Sequence, residues 1–332
     1  MRYQVYGIGA ALVDTEVQVE DAFLEQCGID KGYMTLVDEA RQHELIRLLD
    51  AHTVVSGRAS GGSAANSIIA HSYLGGSAYY SCKVANDDNG EFYLNDLRSA
   101  GVDACYDRSL NNGGITGKCL VMITPDAERS MNTFLGISAT LSEENLNLDA
   151  LSNSQWLYME GYLVTSDTGR QAAIRARQHA QAGNTRTALS FSDPGIVGFF
   201  KDGLKAMIGD KIDLVFCNRD EALSWANTED LDQAVAALKQ VADTFAITRG
   251  AEGALIYDGA VMHKVDALPV EAVDTNGAGD AFAGAFLFGL TNGMSYAEAG
   301  RLAAVTAGRV VSQFGPRMDR HGYQQALELS RG

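Results

Sequence analysis

The sequence is poor in cysteine and proline and has no long apolar run. Its 332 residues include 5 cysteines, none in a CxxC pair, and 4 prolines, and the N-terminal stretch lacks the apolar core of a secretory signal. A scattered, odd-numbered set of cysteines argues against a disulfide framework and for a reducing compartment. Without an apolar run of ~20 residues, no helix is expected to span a bilayer. We therefore expect a cytoplasmic protein with no membrane partner.

Positive charge is also scarce, because 26 lysines and arginines stand against 42 aspartates and glutamates, for a net charge of −16. A surface this negative repels nucleic-acid phosphates and anionic lipids, so we expect no nucleic-acid partner. The 6 histidines show no HxxxH or HExxH spacing, and no GxSxG motif is present. These absences argue against zinc-dependent and serine hydrolases.

Strand-like runs alternate with helical patterns along most of the chain. This alternation predicts an α/β fold with a mostly parallel central sheet flanked by helices. The predicted strands cover residues 3–8, 53–55, 78–82, 156–159, 188–191, 214–217, 245–248 and 254–257.

Two stretches, 15–37 and 105–135, break this alternation. Their period-two patterning and turn residues predict strands without crossover helices, which we expect to form a small antiparallel sheet that acts as a β-rich lid. The predicted domains are a large α/β domain of residues 1–14, 38–104 and 136–332, and a lid of residues 15–37 and 105–135.

Glycine is abundant, at 35 residues, and its most informative occurrence is the DTNGAGD motif at 274–280. Gly277 and Gly279 precede or open a predicted helix, whose first N–H groups and partial positive charge bind anions. Asp280 places a carboxylate beside this anion site. Phosphoryl transfer needs both, namely donors for the phosphoryl oxygens and a base for the attacking hydroxyl. Alternatively, Asp280 stabilises the helix dipole and the glycines allow close helix packing.

A second glycine pair, Gly61 and Gly62, precedes a predicted helix that carries Asn66 in its first turn. The glycines would let a ligand approach the backbone, and Asn66 offers a donor and an acceptor to a hydroxylated substrate; the alternative is an ordinary loop before a helix. Asp14 follows the first predicted strand, where a carboxylate can bind paired sugar hydroxyls. The GIGAAL segment before it lacks the third glycine of a dinucleotide fingerprint, which disfavours a Rossmann dehydrogenase.

Polar residues follow three further predicted strands. Since ligands of open parallel sheets bind at the carboxyl ends of strands, these side chains are expected to converge, although each alone is more typical of a turn or cap. They are Asp193, Asn218 with Glu221, and Thr248 with Gly250 and Gly253.

Together, GGxxxN at 61–66, NxxE at 218–221 and DTNGAGD at 274–280 resemble the signature regions of the ribokinase-like (PfkB) carbohydrate and nucleoside kinases, and Asp14 resembles their early substrate aspartate. The resemblance covers about residues 3–325. Residues 61–66, 128–133 and 160–162 look most similar to the adenosine-kinase branch. The resemblance implies a ribokinase-like fold and an ATP-dependent kinase that phosphorylates a primary hydroxyl of a nucleoside, with adenosine the first choice. It also implies Mg²⁺ and, in many members, a monovalent cation such as K⁺.

Residue by residue, the resemblance implies a division of roles. Asp280 would be the base, and Gly277, Ala278 and Gly279 the anion hole. Substrate would be bound by Asp14, Gly62, Asn66 and Arg129. Thr248, Gly250, Gly253 and Asn218 would line the nucleotide site, with Asn218 and Glu221 placing Mg²⁺. Phe134 and Tyr162 are candidates for stacking on a purine, and Asp274 and the turn at 315–317 are candidates for the monovalent-cation site.

Two other functions stay open at this point. A free-sugar kinase would act on ribose, fructose or a 2-keto-3-deoxygluconate type of acid, for which Arg58 is the obvious extra cation. A non-catalytic ligand sensor is disfavoured because Asp280 is present. No GxxxxGK[ST] lysine exists, which leaves the triphosphate charge to Mg²⁺, the backbone, and Arg249 or Arg129. An exposed lid sheet could pair with a second copy as a homodimer or stay free.

Overall fold

A computed structural model describes residues 2–49, 55–104, 113–126 and 128–331, and for residues 55–58 it describes the backbone alone. Within these ranges the strands are β1 (Tyr3–Ile8), β2 (Leu12–Gln18), β3 (Met34–Leu36), β4 (Val55–Gly61), β5 (Ala78–Ser81), β6 (Val102–Asp103), β7 (Gly117–Ile123), β8 (Arg129–Phe134), β9 (Ser154–Glu160), β10 (Arg186–Ser190), β11 (Ile212–Asn218), β12 (Ala242–Thr248), β13 (Ala254–Tyr257) and β14 (Met262–Val265).

The helices of the same ranges are α1 (Asp21–Cys27), α2 (Glu39–Leu49), α3 (Ser63–Tyr73), α4 (Asp88–Ser99), α5 (Leu148–Ser152), α6 (Asp167–Ala182), α7 (Pro194–Ile208), α8 (Arg219–Ala226), α9 (Leu231–Val241), α10 (Ala278–Thr291), α11 (Tyr296–Val311) and α12 (Arg320–Leu329).

The larger sheet has nine strands in the order β14-β13-β12-β11-β10-β9-β1-β5-β6. The pairs from β6 to β12 are parallel, and β13 and β14 are antiparallel at one edge. Helices cover both faces because successive side chains of a strand point to opposite sides. On β1, Val5 packs with the cluster that contains Ile68 and Phe286, whereas Tyr6 packs with the cluster of the other face. The predicted α/β fold with a mostly parallel sheet is confirmed.

The second sheet has five strands in the order β3-β8-β7-β2-β4. A small antiparallel sheet was predicted here, and the sheet is mixed: β2–β4 and β7–β8 pair antiparallel as predicted, but the other two pairs do not. Strands β2 and β7 pair in parallel, as do β3 and β8, because each pair joins segments that are distant in the chain. The stretch 15–37 also contains a helix, α1, which the strand pattern did not indicate.

Strand β4 differs from the predicted domain ranges, which placed residues 38–104 wholly in the large domain. It pairs with β2 in the five-stranded sheet, so this segment crosses from one sheet to the other. Of the strand predicted at 53–55, residues 53 and 54 lie outside the described residues, as do 105–112 and 127 of the predicted lid. The division of the chain into two domains at the predicted positions stays a prediction.

Candidate active site

A cleft of 1370 Å³ lies between the two sheets. It is lined by the ends of large-sheet strands and by residues of the five-stranded sheet. All thirteen predicted site residues line it, which are Asp14, Gly62, Asn66, Arg129, Asn218, Glu221, Thr248, Gly250, Gly253, Gly277, Ala278, Gly279 and Asp280. Their convergence is a finding, while their individual roles stay predictions.

Asp280 lies in the first turn of α10, where the helix dipole favours a carboxylate. Its Oδ1 accepts a hydrogen bond of 2.6 Å from the Ser63 hydroxyl, and its Oδ2 accepts one of 3.1 Å from Asn66 Nδ2. Burial raises the pKa of Asp280, while these two bonds and the nearby Arg129 and Arg317 oppose that rise. The Asp280 carboxylate is therefore held in a fixed orientation at the N-terminus of α10.

The two glycines before Asp280, Gly277 and Gly279, lie in different surroundings. Gly277 has φ +73°, and a Cβ there would lie 2.2 Å from the Pro316 carbonyl oxygen, so only glycine fits. Gly279, in contrast, faces open space, since a Cβ on it would meet no atom within 4 Å. The first N–H groups of a helix have no intrahelical acceptor. The start of α10 is thus open to an anion from the cleft.

Asp14 lies on β2 and is buried. Gly61 is its neighbour on β4, and a Cβ at Gly61 would lie 2.0 Å from the Asp14 carboxyl group. The lack of a side chain at Gly61 therefore makes room for the Asp14 carboxyl group, and the expected approach of a ligand to this glycine pair stays a prediction. Gly62 has φ +95°, and a Cβ there would lie 2.3 Å from the Ala10 carbonyl oxygen. Both glycines serve to bring β2, β4 and α3 together.

Two acceptor atoms face the cleft without partners among the described residues, Asp14 Oδ1 and Asn66 Oδ1. Burial raises the pKa of Asp14 to about 8, and the Glu16 carboxylate adds to that rise. An unpaired buried acceptor is costly. These two atoms can therefore bind a ligand that brings hydroxyl donors.

Arg129 begins β8 and joins the five-stranded sheet to the DTNGAGD loop. Its Nη1 donates to the Thr275 carbonyl oxygen at 2.8 Å and to Thr275 Oγ1 at 3.3 Å, while its Nε has no partner among the described residues. A second contact runs parallel to it, from Asn276 Nδ2 to Glu16 Oε1 on β2 at 3.3 Å. Two strands of this sheet are thereby linked to the DTNGAGD loop.

Asn218 and Glu221 form a reciprocal cap at the start of α8. Asn218 Oδ1 accepts from the Glu221 backbone N–H at 2.8 Å, and the Glu221 carboxylate accepts from the Asn218 N–H and Nδ2. Burial raises the pKa of Glu221 to about 8. Within the described ranges, no three His, Cys, Asp or Glu side chains come together as a metal cage. Mg²⁺ is typically bound by one or two carboxylates together with ligand oxygens and water.

Thr248, Gly250 and Gly253 follow β12. Gly250 and Gly253 have φ +55° and +80°, which favours glycine at both, and a Cβ on Gly253 would lie 1.9 Å from the Val265 carbonyl oxygen. Arg249 turns away from the cleft to bind Glu252, with Nη1 3.2 Å from Oε2 and Nη2 2.8 Å from the carbonyl oxygen. The guanidinium of Arg249 is thus bound within its own turn, and Arg249 does not line the cleft.

Asp274, the first residue of the DTNGAGD loop, is fully buried. It accepts from the Asn276 N–H at 2.8 Å and from the Gly315 N–H at 2.9 Å. The second bond brings the predicted turn at 315–317 against the loop. Arg317 lies beside it, with Nη2 3.0 Å from Asp96 Oδ2. Sequence reasoning did not single out Ser63, Glu16 or Asp96, because their partners are more than 200 residues away.

Tyr162 lines the cleft and donates its hydroxyl to the Ser192 carbonyl oxygen at 3.4 Å. Phe134, the other candidate for stacking, does not line it. Glu160, at the end of β9, also lines the cleft, and sequence reasoning gave it no role of its own.

None of the helices in the described residues combines the length and apolar character that a membrane crossing needs.

Comparisons with known proteins decide the family. The model of the pfkB family carbohydrate kinases matches residues 36–320. The chain belongs to this family. An adenosine kinase structure from Sinorhizobium meliloti is similar with a TM-score of 0.92 and 36% identity, covering 99% of this chain and 100% of that one.

Two further relatives differ in the substrate class that their names give. A probable sugar kinase from Rhizobium etli CFN 42 is similar in structure with a TM-score of 0.92 and 33% identity, covering 99% of each chain. The adenosine kinase of Schizophyllum commune is 28% identical over 341 residues, which cover 95% of this chain and 96% of the relative. As a PfkB kinase, the chain is a phosphotransferase with an alcohol group as acceptor, and its family implies the use of ATP and Mg²⁺.

Proposed function

We propose that this PfkB kinase transfers the γ-phosphoryl group of ATP to a primary hydroxyl of a nucleoside, with adenosine the first choice. The observation that carries the proposal is Asp280, a carboxylate held by Ser63 and Asn66 beside the open N-terminus of α10. In the proposed reaction Asp280 takes the proton of the acceptor hydroxyl, whose oxygen attacks the terminal phosphorus as ADP leaves. Backbone N–H groups at Gly277, Ala278 and Gly279 stabilise the charge on the transferring group.

The acceptor end of the cleft supports a nucleoside. Asp14 Oδ1 and Asn66 Oδ1 supply acceptors for sugar hydroxyls, and Gly62 lets the start of α3 lie close to Ala10, just before β2. Beyond them the lining becomes apolar and includes an aromatic ring, which suits the flat face of a base. A small free sugar would leave this part empty. The apolar group consists of Met34, Leu36, Met131, Leu135 and Tyr162.

The nucleotide end is formed by the turns after β11 and β12 and by small residues of α11. At Thr248, Gly250 and Gly253 the backbone can approach ATP closely. Next to them lies an apolar wall for the adenine base of ATP. That wall comprises Leu268, Val270, Ala304, Ala307 and Gly308. Asn218 and Glu221 would help to place Mg²⁺ through water. The ion supplies charge neutralisation for the phosphates and a template for their orientation.

Two further parts of the proposal concern ions and assembly. We place a monovalent cation such as K⁺ beside the anion hole, where the buried Asp274 carboxylate supplies negative charge. We place a homodimer at the five-stranded sheet, because β3 is an edge strand of that sheet. Light scattering in solution tests the dimer, and turnover with K⁺ replaced by tetramethylammonium tests the cation. A cytoplasmic location also stays a prediction.

A free-sugar kinase is the second candidate, supported by the similarity to a probable sugar kinase. The side chain of Arg58, the cation suggested for an acidic sugar, lies outside the described residues. A non-catalytic sensor is the third candidate.

One experiment separates the three. ATP turnover is measured with adenosine, inosine, ribose, fructose and 2-keto-3-deoxygluconate, for the wild type and Asp280→Asn. We expect the highest kcat/KM with adenosine, and a loss of roughly 10³-fold in kcat for Asp280→Asn, because base catalysis and positioning are removed together. Asp232→Asn, a change of an exposed residue in the first turn of α9, is the matched control and should keep full activity. Preference for a free sugar would support the second candidate. Tight binding without turnover would support the sensor.

A further inference from the structure

Glu160 is a buried carboxylate at the centre of the molecule that the proposed reaction does not use. It is the last residue of β9, is 1% exposed and lines the cleft. Burial raises its pKa to about 7, although two hydrogen bonds from backbone N–H groups oppose the rise. An ionisable side chain in such a position needs a structural reason.

Its two oxygens bind two separate parts of the chain. Oε1 accepts from the Ala10 N–H at 2.6 Å, and Oε2 accepts from the Ala64 N–H at 2.8 Å. Ala10 lies in the link between β1 and β2, where the chain passes from the nine-stranded to the five-stranded sheet. Ala64 lies in the first turn of α3, where the helix dipole favours a negative group. One carboxylate thus joins three elements.

The surrounding residues are shaped around this carboxylate. A Cβ on Gly9 would lie 2.6 Å from Glu160 Oε2, so a side chain at position 9 would displace it. The Tyr80 hydroxyl donates to the Ala10 carbonyl oxygen at 3.1 Å, which holds the same peptide segment from its other side. The link between the two sheets is therefore fixed through both polar groups of Ala10.

The two segments that Glu160 joins lead to the two carboxylates of the proposed reaction, Asp14 at the acceptor and Asp280 as the base. Ala10 leads into β2, which carries Asp14 four residues later. Ala64 lies between Ser63 and Asn66, the two side chains that hold Asp280. Glu160 therefore links the segment that leads to Asp14 with the segment that holds Asp280, through backbone N–H groups and not through either carboxylate.

We propose that Glu160 is a positioning residue that sets the placement of the acceptor hydroxyls relative to the base. This inference rests on the proposed function, in which Asp14 binds the acceptor and Asp280 takes its proton. A hydroxyl displaced by about 1 Å loses on the order of 100-fold in rate. The nucleotide end, on β11, β12 and α11, does not depend on the two bonds of Glu160.

The test is Glu160→Gln, an isosteric change that presents an NH₂ group to one of the two N–H donors and so breaks one bond. We expect kcat/KM for adenosine to fall about 10- to 100-fold, mostly through kcat, with the Kd for ATP measured by calorimetry unchanged within about twofold. Glu144→Gln, on the surface, is the matched control and should behave as the wild type. A fall in melting temperature with wild-type kcat and KM would show a purely structural role and overturn the inference.

A second variant covers the case in which Glu160→Gln does not fold. Glu160→Asp keeps the charge but shortens the side chain by one methylene, so it too should lose rate while retaining ATP binding; wild-type kinetics would overturn the inference. Failure of the proposed function has a different signature. In that case the wild type itself would not phosphorylate adenosine, or Asp280→Asn would keep its turnover.

Discussion

The Ser63 hydroxyl donates a hydrogen bond of 2.6 Å to Asp280 Oδ1, and this bond joins the N-termini of α3 and α10. The two residues are 217 positions apart in the chain. The bond both orients the carboxylate and stabilises its charged form, so it links the geometry of the site to its pH dependence.

Ser63→Ala is expected to lower kcat/KM roughly tenfold, the value of one hydrogen bond to a charged group. The variant also loses a bond that lowers the pKa of Asp280. That pKa should rise further above its ordinary value. Since a base acts only when deprotonated, the acidic limb of the pH–rate profile should move to higher pH.

The measurement is kcat/KM across pH for the wild type, Ser63→Ala and a control. The control is Ser72→Ala. Ser72 lies at the far end of the same helix and donates to the Ala100 carbonyl oxygen, so the pH profile of this variant should match that of the wild type. An acidic limb that stays in place in Ser63→Ala would contradict this role.

Gly61→Ala should damage the acceptor site without harming the nucleotide site. The added Cβ would lie 2.0 Å from the Asp14 carboxyl group and displace it. We expect kcat/KM for adenosine to fall on the order of 100-fold, with ATP affinity retained. Gly198→Ala is the control, because a Cβ there would be 3.8 Å from its nearest neighbour, Ser224 Oγ. Equal loss of affinity for both substrates would argue for general unfolding instead.

Glu221→Gln should raise the Mg²⁺ concentration needed for half-maximal activity by about tenfold, as is common for residues that act on a metal through water. The variant also loses part of the cap of α8. Glu298→Gln removes the same type of cap from the start of α11, and since Glu298 itself does not line the cleft, this variant isolates the capping effect. If both variants respond equally to Mg²⁺, Glu221 has no role at the metal.

His71 should make the fold sensitive to acid. It is fully buried against Phe288, with ring centroids 5.9 Å apart, and burial lowers its pKa to about 4. Because the unfolded chain binds the proton more readily, stability is lost as pH falls from the unfolded pKa of about 6.5 towards 4. At pH 5 the loss is about 2 kcal/mol.

Urea unfolding at pH 7 and pH 5 measures this loss. His71→Leu removes the titration and should narrow the difference between the two pH values by about 2 kcal/mol. His43→Gln, on an exposed position of α2, should leave the difference unchanged. A difference that survives in His71→Leu would assign the acid sensitivity to other groups.

The parts of the structure that could be predicted are those with a local cause. Alternating apolar runs placed most strands of the large sheet, and the DTNGAGD segment marked a helix N-terminus with an acidic residue beside it. Helix α7 had a local signal that was overlooked, since Asp193 caps it and Pro194 begins it. The seven-residue helix α1 offered too short a pattern to compete with its strand-like surroundings.

The rest depends on contacts between distant segments, which no local pattern specifies. Gly61 makes room for the Asp14 carboxyl group, a contact between β2 and β4 that no local pattern specifies, while the approach of a ligand to the Gly61–Gly62 pair stays a prediction. The parallel pairing of β2 with β7 has the same cause. Glu160 had no distinguishing neighbours in the sequence, since its partners Ala10 and Ala64 are 150 and 96 residues away.

Strand β1 lies inside the nine-stranded sheet, between β5 and β9. During synthesis β1 must therefore wait for residues 154–160 before both of its edges are paired. Such long-range pairing slows folding and leaves an open strand edge during synthesis. The DTNGAGD loop at 274–280, which also lines the cleft, comes later still, so the cleft is completed only after this segment has emerged.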